Sequence, residues 1–155
     1  MLKKIFTGFA LILMGLIMLF AGMLIYQARL SRNMTVTSGV EAGLLLPCPA
    51  SPNCVSSQTL VADSHYIAPI VDSGGVKWAQ LPALLDSFDS TERQSVEGNY
   101  LYYTFSTPVM GFVDDVEFFF AEEQGLIHVR SASRVGYGDG GTNRNRIEMI
   151  RSGLE

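Results

Sequence analysis

Phe112-Val113-Asp114-Asp115-Val116-Glu117-Phe118-Phe119-Phe120-Ala121-Glu122-Glu123-Gln124-Gly125-Leu126-Ile127-His128-Val129-Arg130-Ser131 is the stretch that decides the fold. Val116, Phe118 and Phe120 alternate with Asp115, Glu117 and Phe119, the period of a strand with one apolar face. Glu122–Gly125 reads as a turn, and Leu126–Ser131 as the next strand. Pairing Phe120 with Ile127 sets Phe118 opposite Val129 and Val116 opposite Ser131. The same register sets Glu117 opposite Arg130 and Phe119 opposite His128. A slip of one residue would oppose apolar to charged side chains on both faces. One face is therefore core, and the other carries a cross-strand ion pair and an aromatic–histidine contact.

Upstream, Asn99–Thr107 alternates, with Leu101, Tyr103 and Phe105 on the core face and Tyr100, Tyr102 and Thr104 on the other. Pro108 and Gly111 mark the turn between these two strands. Trp78, Leu81, Leu85 and Phe88 recur at helical spacing. Pro82 within that run predicts a kink, or a helix that begins at Leu81. The polar stretch from Asp86 to Glu92 reads as a solvated connector, and His65–Val71 as a short strand ended by Asp72–Gly75. Downstream, Gly136, Gly138, Gly140 and Gly141 crowd one loop, so the backbone takes unusual torsions or lies close to something. Thr142 or Asn143 can cap a last helix whose buried stripe is Ile147, Ile150 and Leu154. The order strand, helix, three strands, helix predicts an α+β domain, an antiparallel sheet packed against two helices.

The chain has 155 residues, which allows one modest domain. Ile5 to Ala28 is uncharged for 24 residues. A helix of that length is roughly 36 Å long, against a hydrocarbon core of about 30 Å. The apolar run is too long for the core of a cleaved signal peptide, so residues 1–30 are expected to be a retained single-pass anchor. Lys3 and Lys4 precede the run, and Arg29 and Arg32 follow it, a weak positive-inside signal. Gly8, Gly15 and Gly22 recur every seven residues, a stripe along which another helix can approach closely. Beyond residue 30 the chain carries 8 basic and 15 acidic groups. Such a surface suits export and argues against nucleic acid as a partner. Residues 31–43 lack a helical period and read as a tether; the soluble domain is expected over 44–155, with Leu44–Leu46 docking on it.

Pro47, Pro49 and Pro52 forbid a regular element around Cys48 and Cys54. The two cysteines are the only ones, and a disulfide across the intervening turn is the preferred reading outside the cytoplasm. Metal binding is the lesser alternative, because His65 and His128 lack the spacing of a zinc motif, and Cys-x5-Cys is not the redox spacing. The expected setting is a bacterial inner membrane, with the N-terminus cytoplasmic and the domain periplasmic.

Cys48–Ser57, Gly111–Phe118, Val129–Tyr137 and Asn143-Arg144 together resemble the domain-of-unknown-function family numbered 1499. The resemblance covers residues 44–154 and implies the domain boundary. It implies no activity, catalytic residue or cofactor.

One constellation could bind a ligand. Arg130 and Arg134 leave the last strand, while Arg144 and Arg146 sit in the first turns of the last helix, against its dipole. With the glycine loop and the helix amides they suggest a pocket for a small anion, with Arg134 and Arg144 converging, Arg146 as a third donor, Thr142 at the amides and Tyr137 as a wall. The competing reading pairs each arginine with Asp114, Asp115, Glu117 or Asp139. A hydrolase built on Ser56, Ser57, Asp63 and His65, or on Cys54 with a histidine, is a weaker alternative. No cofactor is expected. The favoured function is a non-catalytic accessory subunit or assembly factor of a larger membrane complex, with lipid and other subunits as partners. Phe119, Tyr100 and Tyr102 on the non-core face are a candidate interface.

Overall fold

The computed structural model describes residues 2–155, with side chains from Lys4 onward. Helix α1 (Leu2–Asn33) is long and apolar enough to cross a bilayer. It runs three residues past the expected boundary at 30, so Lys4, Arg29 and Arg32 lie within it rather than beyond its ends. A two-strand hairpin follows, β1 (Val40–Glu41) with β2 (Leu44–Leu45). The domain continues as β3 (Cys54–Ser56), β4 (Ile70–Val71), α2 (Val76–Asp86), β5 (Thr91–Glu97), β6 (Tyr100–Ser106), β7 (Val113–Ala121), β8 (Leu126–Ser133) and α3 (Thr142–Gly153).

The main sheet is antiparallel throughout, in the order β3-β8-β7-β6-β5, with β4 joining β8 beyond β3. The register of β7 on β8 is the one the alternation demands: Phe120 faces Ile127, Phe118 faces Val129, and Glu117 faces Arg130. Leu101, Tyr103, Val116, Phe118, Ile127 and Val129 form the core with Leu81 and Leu85 of α2 and Ile147 and Ile150 of α3. Trp78 closes one end by stacking on Phe120, with ring centroids 5.6 Å apart. The domain is α+β, with two helices on one face of an antiparallel sheet.

Local chemistry alters four expectations. Helix α2 begins at Val76, not Leu81, with Pro82 inside it. Its start is fixed by Asp72, whose carboxylate accepts the Trp78 N–H at 2.7 Å, and by Gly75 in the left-handed region; such a cap contributes about 1 kcal/mol. The expected strand at 65–71 shrinks to Ile70–Val71 plus a bridge from Tyr66 to Ser56, because Pro69 cannot donate to a ladder. The polar connector gives way from Thr91 to the edge strand β5, irregular between Arg93 and Ser95. Helix α3 is capped from outside, by Asp139, rather than by Thr142 or Asn143.

A fifth change is the largest. Residues 31–43, expected as a tether, lie across the second face of the sheet. Ser31 is fully buried, and its Oγ accepts the Val113 N–H at 3.2 Å. The Gly39 N–H donates to Glu117 Oε1, the Leu45 N–H to Gln58 Oε1, and Gln58 Nε2 to the Gly43 carbonyl. Both faces of the sheet are therefore covered.

Candidate functional site

The covered second face carries charge. Successive residues of a strand point to opposite faces, so Asp115 and Glu117 share this face while Asp114 points to the helices. Each acid has its own arginine. Glu117, fully buried, accepts Arg130 Nη1 at 2.8 Å on one oxygen and both Tyr100 Oη and the Gly39 N–H on the other. Asp115 accepts Nε and Nη2 of Arg134 together with Tyr102 Oη at 2.6 Å. Asp114 meets Arg146, whose guanidinium lies over the Phe105 ring at 4.8 Å and also donates to Ser131 and Asn143.

Arg134 does one thing more. Its Nη1 donates to the backbone carbonyls of Ser31 at 3.1 Å and Met34 at 3.3 Å. A helix leaves its last carbonyls without partners, and a cation there also opposes the negative end of the dipole. Arg134 therefore caps α1 from the end of β8 and bonds it to Asp115 at once. The Asp115 carboxylate holds the guanidinium above its ordinary pKa against the effect of burial. Burial, reinforced by the Asp115 hydrogen bond, pushes Tyr102 up to about 12, so it remains a neutral donor.

The proposed anion pocket does not assemble. Arg130, Arg134 and Arg146 are paired and nearly buried. Arg144 turns the other way and donates to the Ser64 and Tyr66 carbonyls, so it never converges with Arg134. Tyr137 is largely exposed, and the Thr142 hydroxyl donates to the Asp139 carbonyl. The amides that would have held a ligand hold Asp139 instead: Gly141 N–H at 3.0 Å and Asn143 N–H at 2.8 Å. Burial raises the Asp139 pKa, and those amide bonds outweigh it, leaving the group below the usual value. The chain thus supplies its own anion to the helix terminus.

The same end of the domain holds a buried polar hub that sequence reasoning missed. Asn143 Nδ2 donates to the Asn53 carbonyl, Ser131 Oγ donates to Asn143 Oδ1, and Asn53 Nδ2 donates to the Ser133 and Gly136 carbonyls. The hub joins the cysteine loop, β8, the glycine loop and α3. The stretches that carried the family resemblance meet there, which was the available signal. Over residues 44–154 the chain matches the family model described as Protein of unknown function (DUF1499). The chain belongs to that family. No curated protein and no solved structure matches it. The DUF1499 match begins at Leu44, so the clamp on Ser31 and Met34 ties a family domain to a segment outside the match.

Cys48 and Cys54 form a disulfide with Cα atoms 5.7 Å apart. Closing so short a loop is worth about 2 kcal/mol. The bond removes Cys54 as a nucleophile. His65 is no free base either: Nδ1 meets Asp63 at 2.7 Å and Nε2 meets the Ser51 carbonyl at 3.1 Å. Two acceptors require both ring N–H groups, so this position suits the imidazolium. Ser57 Oγ lies 3.2 Å from His128 Nδ1 but already accepts the Val129 N–H, and among the described residues no carboxylate orients that ring.

Two outcomes follow from these geometries. Arg134→Ala is expected to leave the Asp115 charge buried and α1 uncapped, lowering stability by about 3–5 kcal/mol in chemical denaturation, with new protease cleavage between residues 34 and 39. Asp63 raises the His65 pKa above 6.5, and the His65 amide, followed by its ring, lowers that of Asp63 below 3.8. Stability from His65 is complete below pH 6.5 and lost as pH rises through the raised folded value; that from Asp63 is present above 3.8 and lost as pH falls through the lowered one. Thermal melts across this range should show the alkaline decline, and His65→Gln should remove it.

Proposed function

We propose that this DUF1499 protein is a membrane-anchored, non-catalytic accessory subunit or assembly factor of a larger membrane complex. The reading is carried by the hydrogen-bonded junction between α1 and the domain. Here Arg134 and Ser31 bond the end of the helix to the domain, and Glu117 bonds the segment that follows it. A fixed pose is useful when the helix and the domain must meet the same partner. Most side chains of α1 from Ile5 to Tyr26 are exposed, and there is open space to 4 Å around Gly8, Gly15 and Gly22. Close helix packing needs such small residues. Loss of α1 as a signal sequence would take Ala28 and Ser31, both buried, out of the domain, which supports a retained anchor.

The domain is proposed to face the periplasm of a bacterial inner membrane. The disulfide supports an oxidising side, and the excess of acids beyond the helix supports export.

Purification of the full chain in mild detergent is expected to bring down a stable membrane partner. The triple substitution Gly8→Leu, Gly15→Leu and Gly22→Leu should leave the chain in the membrane fraction and remove that partner. A chain that purifies alone, or an association indifferent to the leucines, would overturn the proposal. In intact cells Cys48 and Cys54 should resist alkylation until reductant is added; two free thiols would put the domain in a reducing compartment.

A further inference from the structure

Between α1 and the domain lies a cavity of about 370 Å³, within the size range of small-ligand pockets. Met23, Leu24 and Gln27 of α1 form one wall, and Phe112, Val113 and Val135 form the other. At its inner end the two acids are already satisfied, Asp114 by Arg146 and Asp139 by the Gly141 and Asn143 amides. No lysine or arginine is among the described residues that line it. The cavity therefore offers apolar walls and no free charge.

Its position fixes what can enter. If α1 spans, Met23 to Gln27 lie roughly 27–33 Å along the helix from Ile5, at the far edge of a hydrocarbon core about 30 Å thick. The cavity then continues the lipid-facing side of the anchor into the domain, at the level where acyl chains meet headgroups. An unbranched chain fits. We propose that this cavity takes an acyl chain of a bilayer phospholipid, with a headgroup that needs no cationic partner. The proposal rests on the anchoring reading above and deepens it: the domain holds a lipid at its junction with the membrane.

The test uses the full chain reconstituted in phosphatidylcholine vesicles that contain a phosphatidylcholine with a diazirine near one acyl terminus. After irradiation and digestion, lipid adducts are expected on peptides containing Phe112 or Val135 as well as on α1. Val135→Trp fills the cavity from the domain side, and Leu24→Trp fills it from the helix side. Either should remove the domain adducts and leave those on α1. Adducts confined to α1 in the wild type would overturn the lipid site while leaving the anchor intact. Domain adducts that survive in a folded tryptophan variant would overturn it as well, since they would come from surface collision. An absence of adducts on α1 itself would overturn the anchoring reading along with it.

Discussion

The guanidinium of Arg134 between Asp115 and the end of α1 is the constraint on which the rest of the arrangement hangs. Two nitrogens hold the carboxylate, and a third holds the carbonyls of Ser31 and Met34. A planar fork with five donors can do this; a lysine ammonium has neither the reach nor the fixed directions. Once α1 is fixed there, the following segment must run across the second face of the sheet. That course brings the Gly39 amide to Glu117 and Leu45 into the interior.

Covering that face has an electrostatic consequence. Asp115 and Glu117 belong to the polar side of an alternating strand, yet both are buried. A buried carboxylate is tolerable only when it is paired and its remaining lone pairs are bonded. The tyrosines of β6 meet that need, Tyr100 on Glu117 and Tyr102 on Asp115. These rings, which looked like an open interface, are partly or wholly enclosed and bonded inward. Arg130 Nε finds no partner among the described residues, so the network is not saturated.

The legible parts of the fold were those in which the side-chain pattern and the backbone state have the same cause. Strands β6, β7 and β8 alternate because one face is core, and the stripe of α3 is periodic because one side of a helix is buried. Strand β5 has no such stamp. Thr91–Glu97 is an edge strand with little burial, held to β6 by backbone bonds that any sequence can make. The period of α2 leaves its start open between Leu81 and an earlier residue, because the cap that fixes it is Asp72, outside the helix and joined to it by a turn.

The sequence by itself determined the register of β7 on β8, the pairing of Glu117 with Arg130, the loop that sets Cys48 beside Cys54 and a helix able to cross a bilayer. Each depends on neighbours in the chain or on a period that survives only one alignment. The tertiary structure decided which partner each of the other arginines takes. Arg134, Arg144 and Arg146 are close in sequence, yet they end at Asp115, at two backbone carbonyls and at Asp114. Charge alone allows any of those pairings. The fold selects one set because a strand end, the solvent side of a helix and its buried side point three ways, and a long side chain reaches only what lies along its own direction.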